Sequence, residues 1–433
     1  MKWSKYCIYN SKDSYCYIYN TLTTAFVKVS DKDLAEINKS LDGNYILHPS
    51  CQKIIEYLLQ IKMLVEDTYN ELLPVIHQCF SKMYDGQTLH LTIAPTMKCN
   101  FDCFYCFEGS NKQFGEMSEE IEENLIRYIE LHKDRKIIIN WLGGEPLLAF
   151  NRILSISNQL NQKDIQFTST IISNGSLFND YAIDNLKALN LQHIQITLDG
   201  LKEVHDKRRV MHSGAPTFDI IINNIHKLLN CTDIPLRIVV NIDQTNKSSY
   251  KDIRYYFKTN FPKEILSKRI QIYHNYVLNR TDFDNNDNCF DASQILKDKI
   301  DEKTGSCGTG KTFGVPIPAS PCMFRCMNSY AIDSKGNIYK CIEHLGQPHK
   351  RIGSLELGTL NKSELIQTAY QDMPFWDVEC LECAYLPICL GGCPNDREKK
   401  QLNPSYSCCT PHKKTLEKLL PFLYDKIKSR SQS

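Results

Sequence analysis

Nineteen cysteines in 433 residues constrain this chain more than any other feature, because eleven of them fall into three spaced groups. The start, Met1-Lys2-Trp3-Ser4-Lys5, lacks the apolar core of a signal peptide. No later stretch approaches the roughly 20 apolar residues of a membrane span. The expected location is therefore the cytoplasm, with no membrane partner, and a reducing cytosol argues against a disulfide framework. Metal or cluster ligation becomes the leading explanation for so many thiols. Cys7, Cys16, Cys51, Cys79, Cys231, Cys289, Cys307 and one of Cys408 and Cys409 stand alone and are expected to be small core residues. The 51 basic and 50 acidic residues nearly cancel, and no run of Lys and Arg would track a phosphate backbone, so nucleic acid is not an expected partner.

Aromatic and β-branched residues at 14–20 and 24–29, separated by a short polar turn, predict a hairpin. Leu34, Ile37 and Leu41 after a Ser30 or Asp31 cap, and Ile54, Leu58, Ile61 and Val65 further on, predict two helices. Residues 1–86 thus read as a small α+β domain. From residue 88 short apolar strands alternate with amphipathic helices, as in βα units around a parallel sheet. Six strands are predicted, at 89–94, 137–142, 165–172, 193–198, 236–243 and 270–277, with helices such as 118–132, 180–189 and 217–229 between them. Six units fall short of the eight that close a full barrel, so the expected α/β fold over 87–280 is a partial, TIM-like (β/α)6 barrel whose open side admits a large substrate. Gly- and Pro-broken residues 281–321 read as a bridging connection. Residues 322–433 form the cysteine-rich end, and weak periodicity up to 409 suggests that clusters rather than an apolar core hold it together.

Cys99, Cys103 and Cys106 put three thiolates in one loop directly after the first barrel strand. A four-iron cubane held by three cysteines keeps one iron free to chelate the amino and carboxylate groups of a small molecule. A zinc site is the alternative, but it normally needs a fourth ligand nearby, and no His follows at the usual spacing.

This CxxxCxxC pattern, with the aromatic Tyr105 before its last cysteine, resembles the signature of radical S-adenosylmethionine (SAM) enzymes. Gly143-Gly144-Glu145-Pro146, after the second strand, resembles the segment that holds the amino group of SAM in that family. Ser173 and Asn174 after the third strand, and Thr197 and Asp199 at the end of the fourth, resemble segments lining the ribose and carboxylate. Arg209, in His205-Asp206-Lys207-Arg208-Arg209, is the candidate partner of the SAM carboxylate, with an exposed helix-start charge as the plain alternative.

The C-terminal cysteines resemble the SPASM domain of radical SAM peptide modifiers, which holds two auxiliary four-iron clusters. The resemblance implies Cys322, Cys326, Cys341 and Cys393 for the first, and Cys380, Cys383, Cys389 and Cys409 for the second, with Cys408 the alternative last ligand. If Cys322 or Cys326 is free, the first auxiliary cluster has an open iron. Residues 1–86 resemble the winged-helix element by which peptide maturases grip a leader peptide, through strand addition at a sheet edge. A generic packing domain is the alternative.

The resemblance implies three [4Fe-4S] clusters, SAM, a low-potential electron donor of the flavodoxin or ferredoxin type, and a precursor peptide with a leader. It also implies reductive cleavage of SAM to a 5′-deoxyadenosyl radical that abstracts hydrogen from the peptide. The expected function is maturation of a ribosomally made peptide by thioether or carbon–carbon cross-linking. An anaerobic sulfatase maturase forming formylglycine is the second expectation, and a non-catalytic zinc-binding protein the third. Glu343 and His344, just after Cys341, are the nearest acid–base candidates in sequence.

Overall fold

The computed structural model describes residues 1–41, 49–106, 108, 115–277, 316–356, 359–404, 406–409, 413 and 416–431. The connection over 278–315, with Cys289 and Cys307, lies outside them.

Strands β1 (Lys2–Trp3), β2 (Cys7–Lys12), β3 (Tyr15–Asn20), β4 (Phe26–Ser30) and β5 (Leu64–Val65) build the N-terminal segment. Asp13 and Ser14 both adopt positive φ, at 52° and 62°, and Lys12 pairs with Tyr15 across them. Two consecutive left-handed residues match the twist of flanking strands, so β2 folds back on β3 through a two-residue turn. The expected hairpin, β3 with β4, is thereby extended to a three-stranded antiparallel sheet. Ser30 Oγ accepts from the Asp33 N–H at 3.1 Å and caps the helix Asp31–Leu41. The second helix is Pro49–Gln60; Val65 is not part of it but pairs with Lys2 in the β1–β5 ribbon.

All six predicted barrel strands form: β6 (Thr88–Ile93), β7 (Lys136–Trp141), β8 (Phe167–Ser173), β9 (Leu191–Thr197), β10 (Leu236–Ile242) and β11 (Ile270–Tyr276). They pair in parallel and in chain order. Alternate residues such as Ile137, Ile139 and Trp141 face the helices Glu119–Glu130 and Phe150–Gln162, whose Leu125, Ile129, Ile153 and Ile156 close over them. The period-2 stripe of each strand thus meets the period-3.6 stripe of each helix, which is why the βα pattern was readable.

A seventh parallel strand, β12 (Ser329–Ile332), comes from the cysteine-rich end and pairs with β6 on the side away from β7. Strands β13 (Asn337–Tyr339), β14 (Gly353–Ser354) and β15 (Thr359–Leu360) continue the sheet antiparallel, giving ten strands among the described residues. Tyr330, Ile332, Ile338, Ile352, Leu355 and Leu365 join the barrel core. The expectation that clusters rather than an apolar core hold 322–409 together is therefore corrected: short strands of two to four residues carry too little alternation to register in the sequence, yet they anchor this end to the barrel.

The N-terminal segment also shares its apolar contacts with the C-terminal end. Ile8, Tyr17 and Tyr19 pack on Leu416, Leu419, Leu420 and Leu423 of the helix Leu416–Ser431, and Tyr6, Val75, Cys79 and Met83 pack on Met373, Phe375, Leu386 and Leu390. Cys79 is buried in the second of these clusters and Cys7 and Cys16 in the N-terminal segment's own core with Ile18, Ile37 and Leu58, as solitary cysteines are expected to be, whereas Cys231 is exposed. Among the described residues no helix is long and apolar enough to cross a membrane.

Candidate active site

The loop carrying Cys99, Cys103 and Cys106 leaves the C-terminal end of β6 and is pinned at several points. Phe101, 1% exposed, bridges to Met211, and the Asp102 N–H donates to the Val210 carbonyl at 2.9 Å. The Asn100 side chain accepts from Asn174 Nδ2 at 2.8 Å and donates to Ser176 Oγ at 3.0 Å. The three thiols are partly exposed. Burial pushes the Cys99 thiol up to about 12; the Phe101 N–H opposes this, while Glu145, Cys103 and Cys106 add to it. Three thiols whose anions disfavour one another form a donor set that suits a cationic iron cluster, which pulls thiols to thiolates on binding. Among the described residues no three His, Cys, Asp or Glu side chains converge on a single metal-ion position.

The glycines after β7 let backbone pack directly against backbone. A Cβ on Gly143 (φ +133°) would lie 2.3 Å from the Thr96 carbonyl oxygen, and one on Gly144 2.2 Å from that of Lys98. They let the end of β7 press against the backbone leading to Cys99, where Gly144 N–H donates to Thr96 and Glu145 N–H to Lys98 at 2.8 Å. Pro146 opens the short 3-10 turn that follows. Glu145 is fully buried, and its carboxylate accepts from Ser173 Oγ (2.8 Å), Asn174 N–H (2.7 Å) and Leu147 N–H (3.1 Å). Burial pushes it up to about 7 against those three donors. Glu145, Ser173 and Asn174 thus clasp the ends of β7 and β8 to each other and to the cysteine loop.

Thr197 and Asp199 lie buried at the end of β9. Asp199 accepts from Arg208 Nε at 3.4 Å and from the Asn241 N–H at 3.3 Å, and burial raises its pKa against the pull of Arg209. Arg209 is 8% exposed, so the exposed helix-start alternative fails: it follows the C-terminal end of Lys202–Arg208 and donates to Tyr105 Oη at 2.6 Å. A chain of bonds aims it. The Asp199 N–H donates to His205 Nδ1 at 3.2 Å, His205 Nε2 contacts Thr217 Oγ1 at 3.1 Å, and Thr217 Oγ1 donates to the Arg209 carbonyl at 2.6 Å. Arg209 Nε and Arg208 Nη2 are buried with no hydrogen-bond partner among the described residues. Unmatched guanidinium nitrogens beside the thiol loop suit a carboxylate such as that of SAM. Sequence reasoning assigned no role to Arg208, yet it holds Asp243 at 2.8 Å and lies over the rings of Phe104 and Tyr105; its signal was adjacency to Arg209.

At the C-terminal end, Cys380, Cys383, Cys389, Cys408 and Cys409 line one cavity that opens to solvent. Cys341 and Cys393 sit close enough for Cys393 to raise the Cys341 thiol, already pushed up to about 12 chiefly by burial. Burial raises the Cys326 thiol, and the neighbouring Cys322 adds to that rise. Lys340, 0% exposed, donates to the carbonyls of Cys326 and Ser329. Asn395 joins the acid–base candidates, donating to Glu343 at 3.0 Å and to Cys341 Sγ at 3.7 Å, while its carbonyl oxygen meets His344 Nε2 at 3.0 Å. His344 is buried, which lowers its pKa, so it is a neutral neighbour of Cys341.

These geometries agree with what the chain resembles. Residues 93–251 match the model of the radical SAM superfamily. The chain is 25% identical over 347 residues to a cysteine-type anaerobic sulfatase-maturating enzyme of Clostridium novyi, covering 72% of this chain and 89% of that protein. Among solved structures, native anSMEcpe with bound AdoMet shares the fold with a TM-score of 0.58 at 20% identity, covering 79% of this chain and 99% of that one. Streptococcus suis SuiB, solved bound to S-adenosylmethionine and bound to the precursor peptide SuiA, shares it with a TM-score of 0.50, covering 95% of this chain at 15% and 14% identity. Residues 93–251 thus form a radical SAM domain.

Proposed function

We propose that this enzyme matures a ribosomally made precursor peptide, installing a thioether or carbon–carbon cross-link. The observation that carries this reading is coverage: the SuiB fold, which takes up a precursor peptide, spans 95% of this chain, whereas the anSMEcpe fold spans 79%. The difference is of the order of the N-terminal segment, whose three-stranded sheet offers edge strands β2 and β4 for a leader to pair with. SAM, with a reduced [4Fe-4S] cluster on Cys99, Cys103 and Cys106, would supply a 5′-deoxyadenosyl radical able to take hydrogen from an unactivated carbon.

The chain's own residues would do the rest. Arg209 and the ends of β8 and β9, with Ser173, Asn174, Thr197 and Asp199, hold and orient the nucleoside, and Gly143 to Pro146 fix its distance from the thiol loop. Tyr105 locks Arg209 in place. Two further clusters, one on Cys322, Cys326, Cys341 and Cys393 and one on the C-terminal cavity, would accept the second electron that the peptide loses as its cross-link closes, while a low-potential donor would reduce the cluster on the Cys99 loop. Glu343, steadied by Asn395, is the group near the first of these that can take up a proton, while His344 is held neutral.

Formylglycine formation is the second reading, favoured by the 25% identity to the sulfatase-maturating enzyme over 89% of its length. Anaerobic incubation with SAM, a reductant and a candidate precursor, followed by mass spectrometry, separates the two. Cross-linking removes two hydrogens per link and keeps every sulfur, whereas formylglycine made from Cys loses the sulfur. An unchanged peptide with no 5′-deoxyadenosine would refute both.

A further inference from the structure

The cavity at the C-terminal end contains five thiols, one more than a closed four-iron cluster uses, and the two at the end of the set differ in surroundings. Cys408 is 6% exposed. Its carbonyl oxygen stands 1.9 Å from where a Cβ on Gly392 (φ +78°) would be, so the Cys408 backbone is seated directly on the turn before Cys393. Cys409 is exposed, and its sulfur meets only the Lys413 ammonium, at 3.6 Å, among the contacts described.

Arg397, on the helix Pro394–Leu402, is 8% exposed and lies behind Cys408. Its Nη2 donates to Asp377 Oδ2 at 2.8 Å. Its Nη1 is shared among Cys380 Sγ at 3.5 Å, Cys408 Sγ at 3.9 Å and the Gly391 carbonyl at 3.4 Å. A desolvated guanidinium needs strong acceptors, and a protonated thiol is a weak one. Asp377 supplies one negative charge; iron-bound thiolates at Cys380 and Cys408 would supply the acceptors that Nη1 faces.

We infer that Cys408, and not Cys409, is the fourth ligand of the second auxiliary cluster, and that Arg397 is a positioning residue that sets the Cys380–Cys408 spacing and raises that cluster's reduction potential. Hydrogen bonds to ligand sulfur stabilise the more negative, reduced state, which is the direction of the effect. The exposed Cys409 thiol stays outside the ligand set. The inference rests on reading this cavity as a cluster site.

The test uses the full chain, reconstituted anaerobically, with iron and sulfide counted and the midpoint potentials followed by EPR. The wild type and Cys409→Ala are expected to hold about twelve irons with matching potentials, whereas Cys408→Ala holds about eight or, where the three remaining thiolates keep the cubane, about twelve with one cluster's potential and EPR signal altered. Cys408→Ala with about twelve irons and three unchanged clusters overturns the assignment. Arg397→Gln keeps its iron but lowers the potential of one cluster only, and Arg397→Lys restores part of the shift. Loss of iron in Cys409→Ala with a fully loaded wild type overturns the ligand assignment, and this variant decides alone if Cys408→Ala does not fold. Three unchanged potentials in Arg397→Gln overturn the role of Arg397. A wild type that takes up about eight irons or fewer overturns the three-cluster reading beneath, and this inference with it.

Discussion

Gly144→Ala tests the contact on which the geometry of the candidate site depends. The added methyl would sit 2.2 Å from the Lys98 carbonyl oxygen, 2.4 Å from its carbon and 2.7 Å from the Met97 oxygen, all backbone atoms that no side-chain rotation removes. The end of β7 must therefore retreat from the cysteine loop by roughly 1 Å. The hydrogen bonds from Gly144 N–H to Thr96 (3.2 Å) and from Glu145 N–H to Lys98 (2.8 Å) span the same gap and would be lost. Two such bonds contribute about 2 kcal/mol and the residual overpacking about 1 kcal/mol more, a melting temperature lower by about 3 °C. Because Lys98 precedes Cys99, the thiol also moves relative to Glu145 and the β8 end, and SAM affinity should fall at least about tenfold. Gly86→Ala is the control, since nothing lies within 4 Å of its added methyl. Thermal unfolding and calorimetric SAM titration of the two variants decide the matter; a Gly144→Ala protein that melts and binds like the wild type refutes the argument.

The remaining predictions concern titration and packing. Burial holds His205 neutral, with its pKa lowered to about 3, so folding excludes a proton that the unfolded chain takes up below about 6.5, and stability is lost as pH falls. Between pH 6.5 and 5.5 this costs about 1 kcal/mol. Glu145, raised to about 7, works in the opposite sense, gaining relative stability as pH falls through that value, so the His205 contribution is read as the difference between wild type and His205→Gln in urea unfolding at the two pH values; equal slopes in both proteins would contradict it. Leu420→Ala removes a fully buried side chain from the contact between the C-terminal helix and the N-terminal sheet and should destabilise the chain by about 3 kcal/mol, with increased amide exchange in β2 and β3; exchange unchanged in those strands would show that the contact does not hold the sheet.

The barrel was legible because each strand carries an uninterrupted alternation, as in Ile137–Trp141, and each helix a complete apolar stripe, as in Ile121, Leu125 and Ile129. Both periods are local properties, so sequence alone displays them. The seventh strand was not legible, because Ser329–Ile332 is too short to show a period and its parallel pairing with β6 joins residues more than two hundred positions apart. The motifs singled out Gly143 and Gly144 but not the packing they permit: the sequence shows that they are small, and only the fold shows that Thr96 and Lys98 are what they accommodate. The His205–Thr217–Arg209 chain was hidden for a similar reason, since a buried neutral imidazole and a surface one look alike in a sequence of letters.

The packing of Ile8 and Tyr17 on Leu416 to Leu423 has a consequence for biosynthesis. About four hundred residues separate the two sides of that contact, so at ribosomal speeds of 5–20 residues per second the emerging N-terminal sheet waits on the order of 20–80 s before its covering helix exists. During that interval Tyr17 and Tyr19 remain in water or in the keeping of a chaperone, and a nascent chain halted before Leu416 leaves them without that cover.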